Sequence, residues 1–138
     1  TWKLMCERGW LEIGITLAPT MPPKVQMINI APVMPANAEM TATIETVVKM
    51  LVAWDADVVK LIAAPSLDVE RMRRQFAAAA PWGKCRLGET LSGNGTRSST
   101  VRLTCDKGPM AVRVAVEPGT RKVTGVDLFP LREQKCVP

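Results

Sequence analysis

The chain reads as an α+β fold: a curved antiparallel sheet with helices packed on its concave face. Three observations predict it. Two stretches with three-four apolar spacing lie mid-chain, four strand-like runs at hairpin spacing follow them, and three further runs at the start echo the end. Helices followed by an antiparallel meander form the pattern of an α+β layer.

The echo comes first along the chain. Trp2-Lys3-Leu4-Met5-Cys6-Glu7-Arg8-Gly9 resembles Val101-Arg102-Leu103-Thr104-Cys105-Asp106-Lys107-Gly108. Ile13, Ile15, Leu17 and Pro19 then fall on Val112, Val114, Val116 and Pro118. After a one-residue gap, Val25, Ile28, Ile30 and Pro32 fall on Val123, Val126, Leu128 and Pro130. A repeat of this kind is one supersecondary unit used twice. It implies that Thr1 lies inside a unit, with an earlier segment cut away.

Residues 2–7 and 10–17 read as two strands joined at Arg8-Gly9. Leu11, Ile13, Ile15 and Leu17 alternate with polar or small residues, the period of a half-buried strand. Pro19, Pro22 and Pro23 break the pairing. A third strand begins at Val25 and ends at Pro32, and residues 32–35 form a linker. Two divisions follow: 1–35, strands that extend or cap the later sheet, and 36–138, two helical segments and a four-stranded meander.

Asn37 caps a helix carrying Met40, Ile44, Val47, Val48, Leu51, Trp54 and Val58 on one face. A break is expected near Asp55-Ala56-Asp57, and Pro65 ends the segment. Ser66 or Asp68 caps a second helix running through Met72 and Phe76 to Ala80. Strands follow at 84–91, 99–106, 110–117 and 122–129, with turns at Gly93-Asn94-Gly95, Lys107-Gly108-Pro109 and Pro118-Gly119. Residues 132–138 form a tail.

Composition narrows the function. In 138 residues, 47% are hydrophobic, enough for a real core, and the net charge is +5. No apolar run reaches the ~18 residues of a membrane span. Basic residues are spread, Arg71, Arg73 and Arg74 form the one tight group, and aromatics are 4%. This argues against a nucleic-acid interface, which clusters basic residues with aromatic partners.

Of the four cysteines, Cys85 and Cys105 flank a hairpin. If residues 93–96 turn, facing residues have numbers summing to about 189, which sets Cys85 opposite Thr104 or Cys105. Cys6 and Cys136 remain as a second pair. Two disulfides imply an oxidising compartment, periplasmic or secreted; four buried thiols are the alternative. The spacings do not fit a metal site, there is no His, and no cofactor is implied.

At residues 53–65, Ala-Trp-Asp-Ala-Asp-Val-Val-Lys-Leu-Ile-Ala-Ala-Pro, the chain resembles the entry of a nuclear transport factor 2-like domain. The likeness covers about residues 37–130, with Ala56 where the family has Gly. It implies a cone of helices and curved sheet, as in ketosteroid isomerases and polyketide cyclases. A looser likeness joins residues 83–89, 103–108 and 17–26 to tandem tail modules behind β-lactamase-related bacterial serine hydrolases. It implies a module without catalytic residues of its own, covalently joined to an upstream hydrolase or another copy. This chain lacks a Ser-x-x-Lys, so no hydrolase chemistry carries over.

The candidate ligand-binding residues are Trp54, Asp55, Asp57, Arg86, Glu89 and Arg102. In the isomerases an acid within the cone removes a proton while polar donors stabilise the oxyanion. Asp55 and Asp57 stand where the cone opens, yet helix capping and solvation are the favoured reading of both. Arg86, Glu89 and Arg102 lie on neighbouring strands, as pocket groups or as a cross-strand ion pair. Trp54 is expected in the core, with Trp10 the most exposed tryptophan. A cysteine nucleophile would need a base such as His. The leading expectation is a non-catalytic accessory module. The alternative is a stand-alone small-molecule binder, isomerase or hydrolase using Asp55 and Asp57. A dimer pairing through its sheet is compatible with either.

Overall fold

In a computed structural model, which describes residues 2–7 and 9–131, two antiparallel sheets and three helices follow the expected order. The helices start where side chains satisfy their first free N–H groups. Asn37 Oδ1 accepts from the Met40 amide at 2.8 Å and opens α1, Ala38–Val52. Asp55 Oδ1 accepts from the Asp57 and Val58 amides and opens α2, Ala56–Ile62. Asp68, one of the two expected caps, accepts from the Arg71 amide and opens α3, Val69–Ala79. The break near Asp55 falls where expected, because the chain leaves one helix and recaps for the next.

Strands β1 (Trp2–Cys6), β2 (Gly9–Ala18) and β3 (Lys24–Val33) form one sheet in that order. Strands β4 (Cys85–Gly93), β5 (Ser98–Cys105), β6 (Gly108–Val116) and β7 (Val123–Pro130) form the other. The first three strands therefore do not extend the second sheet's hydrogen-bonded ladder, one of the two expected arrangements; they make their own. Strand β3 also runs through Pro32 to Val33, into the expected linker. It is an edge strand, where a proline's missing donor is tolerated.

The core lies between the helices and one face of the second sheet. Met40, Ile44 and Val47 of α1 and Met72 and Phe76 of α3 meet Val101, Leu103, Val112, Val114, Val116, Val123 and Val126. Alternation along β5 and β6 places those apolar residues on one side of the pleat. Trp54 meets Phe76 edge to face at 5.6 Å between centroids and is half-buried.

The turn between β4 and β5 locks the two sheets to each other. Asn94 Oδ1 accepts from the amides of Thr96, Arg97 and Ser98. Gly95, at φ +72°, lets the turn approach the chain after β3; a Cβ there would collide with the Pro35 carbonyl. The Met34 amide donates to the Gly93 carbonyl at 3.1 Å and the Asn37 amide to the Gly95 carbonyl at 2.9 Å. On the far side, Arg121 holds a left-handed φ of 60° while its side chain reaches Glu39 at 3.1 Å and the Thr96 carbonyl at 2.8 Å.

Cys85 and Cys105 stand directly opposite and are bonded, the pairing that hairpin arithmetic had offered. Cys6 is free and exposed; its expected partner Cys136 lies outside the described residues.

Three stability effects separate these contributions. Ile44→Ala opens a cavity under α1 and is expected to cost about 2–5 kcal/mol. Asn37→Ala removes one cap and is expected to cost about 1 kcal/mol. Opening the Cys85–Cys105 bond, which closes a 20-residue separation, is expected to cost about 3 kcal/mol in the chain-entropy treatment. Urea unfolding measures all three; an Ile44→Ala cost no larger than the cap's would contradict this core.

Candidate interaction surface

The first sheet repeats β5, β6 and β7 of the second strand for strand. Trp2, Leu4 and Cys6 pair with Ile13, Leu11 and Gly9, as Val101, Leu103 and Cys105 pair with Val112, Met110 and Gly108. Ile13, Ile15 and Leu17 pair with Ile30, Ile28 and Val25, as Val112, Val114 and Val116 pair with Leu128, Val126 and Val123. The register slips between Thr16 and Leu17 in one sheet and between Ala115 and Val116 in the other. These are equivalent positions. A shared register and a shared bulge are stronger marks of a duplicated unit than similar composition, because a one-residue slip would reverse every side chain.

The equivalent faces have opposite fates. Leu103, Val114 and Val123 are each 0% exposed beneath the helices. Their counterparts Leu4, Ile15 and Val25 are 50%, 39% and 57% exposed. Trp2 is 59% exposed, more than Trp10 at 47%, which reverses the expected order. Trp2 sits on the uncovered face at a free strand edge. The alternation in β2 that reads as half-buried in sequence is real, but nothing described lies over its apolar side.

The other face of the first sheet looks toward the second unit. Glu12, Asn29 and Ala31 share a cleft of about 500 Å³ with Ser98, Thr100 and Arg113 on the outer side of the second sheet. Thr100 is buried there although it points away from the helices. A smaller recess joins Lys3 and Trp10 to Glu89 and Leu91. The apolar face thus points away from the second unit, which carries the helices of the described residues.

The residues singled out from sequence do not assemble into one site; only local contacts such as Glu89–Arg102 join them. Asp55 is committed to capping α2, and Asp57 pairs with Lys60 at 3.6 Å; both are exposed. Glu89 meets Arg102 across β4 and β5 at 3.7 Å, on the exposed side, and Arg86 is also exposed. Such surface pairs contribute about 0.2–1 kcal/mol. Arg71 is tied to Asp127 at 2.8 Å, and Arg73 and Arg74 are solvated. A recess of about 300 Å³ brings Trp54 and Ala56 beside Val59, Lys60, Glu70 and Arg73, without Asp55 or Asp57.

Comparison with protein-family profiles, curated proteins and solved structures finds no match. Among the described residues no three His, Cys, Asp or Glu side chains gather as metal ligands, and no helix is long and apolar enough to cross a membrane.

Sequence reasoning missed the open face as a site, although the repeat carried its signal. If residues 101–126 are covered by helices and residues 2–28 are the same unit, the question of a cover for the first follows at once. Ile15→Lys, on the open face, is expected to change stability by less than about 1 kcal/mol. Val114→Lys, its counterpart under the helices, is expected to cost more than about 4 kcal/mol. Denaturant melts of the two variants decide it, and a comparable loss in both would mean that the face of the first sheet is covered.

Proposed function

We propose that the chain is a non-catalytic interaction module, part of a tandem array joined to a serine hydrolase that works outside the cytoplasm. The observation that carries the reading is the repeated three-stranded unit whose apolar face is buried in one copy and open in the other. Monomeric proteins rarely leave contiguous apolar patches beyond a few hundred Å², and larger ones mark interaction sites. The Cys85–Cys105 disulfide fits an oxidising compartment. The likeness to nuclear transport factor 2-like domains and to hydrolase tail modules supplies the finer expectation, a cone whose role is to pack on, or present substrate to, an attached catalytic domain.

A stand-alone small-molecule protein of the cone fold would need Asp55, Asp57, Arg86 or Glu89 facing inward. All four are exposed, so this alternative draws no support from their placement.

The protein isolated from its source decides between the readings. Its intact mass is expected to exceed the 15.1 kDa of this chain, and the same polypeptide is expected to react with a serine-directed fluorophosphonate. Removal of this segment is expected to lower the hydrolase's melting temperature. A mass of 15.1 kDa, or a hydrolase equally stable and active without the segment, would overturn the proposal.

A further inference from the structure

The complete copy of the repeat shows what the incomplete copy lacks. In the second unit, β4 lies on the edge of β5, Cys85 stands opposite Cys105, and α1 and α3 cover the inner face. In the first unit, β1 is an edge strand with no neighbour on its outer side among the described residues. Among the described residues Cys6, the counterpart of Cys105, is free, and nothing lies over the face that helices would cover. An unpaired edge, an unbonded cysteine and an uncovered face are separate features, and one missing element answers all three.

We propose that the first sheet receives a segment of three helices and a strand built like residues 38–93, carried just upstream of Trp2 in the same polypeptide, with a cysteine on its strand bonded to Cys6. The inference rests on the reading of this chain as an interaction module and names what that module binds. The strand would pair antiparallel with β1, as β4 does with β5, and satisfy the backbone groups along that edge. The helices would present an apolar stripe with three-four spacing. The open face carries Trp2, Ile13 and Ile15 where the second unit has Val101, Val112 and Val114. Close packing then requires the opposing helices to carry smaller side chains than Met40, Ile44 and Phe76 do in the second unit.

The bond forms from two thiols. They lose two protons and two electrons to a disulfide oxidant, such as oxidised glutathione, which is reduced to two thiols. The bonded cysteines of the second unit are 20 residues apart. The partner of Cys6 is therefore expected at a similar distance upstream of it.

The test is disulfide mapping of the natural protein, with thiols alkylated at collection and proteolysis without reduction. The expected result is a Cys6 peptide linked to a peptide absent from residues 1–138, its cysteine about 20 residues upstream. Cys6 found alkylated, joined to Cys136, joined to Cys6 of a second copy, or joined to another protein would overturn the proposal. Intact mass separates the two levels. A larger polypeptide with Cys6 alkylated removes this inference and leaves the interaction module standing. A mass of 15.1 kDa removes both.

Discussion

The structure depends on which side of the pleat is covered. Period-two alternation gives both sheets an apolar face and a mixed face, but a sheet gains stability only when the apolar face leaves water. Burying one Val, Leu or Ile side chain contributes about 1.5–3 kcal/mol. In the second unit, α1 and α3 supply that cover, and Leu103, Val112, Val114 and Val123 vanish from the surface. The caps at Asn37, Asp55 and Asp68 serve this arrangement by fixing where each helix begins, and so which residues its stripe presents to the sheet.

The first unit has the same strand register and bulge, with no cover among the described residues. A three-stranded sheet whose apolar face stays in water gains no burial energy on that side. Here the other face, with Glu12, Asn29 and Ala31, leans on the second sheet, and the β4–β5 turn grips the chain after Val33 through Gly93 and Gly95. These contacts place the sheet and leave its apolar side outward. The chemistry this exposed apolar face offers is that of burial and strand pairing.

Much of this fold was legible in the sequence because its signals are local. Turn residues at 93–95 set the hairpin and brought Cys85 opposite Cys105. Asn37 marked one helix start and Ser66 or Asp68 another, and a kink or break was expected near Asp55-Ala56-Asp57. Placement across elements was not legible. The alternation of Leu11, Ile13, Ile15 and Leu17 shows which residues share a face, but cover comes from elsewhere in the chain or beyond it. The same gap explains the six candidate ligand residues. Asp55 and Asp57 looked like paired acids on a helix break, and the local need for a capping oxygen accounts for Asp55. Arg102 and Glu89 lay on neighbouring strands, and the register placed them on the exposed side.

Native-state hydrogen exchange on residues 1–138 tests the central claim most directly, since it reads the protection of each strand separately. The amides of β5, β6 and β7 are expected to exchange only through near-global unfolding. Those of β1, β2 and β3 are expected to exchange through a local opening far below the global stability, although their ladders have the same register. Equal protection of the two sheets would contradict the account, because the first unit would then be as fully supported as the second.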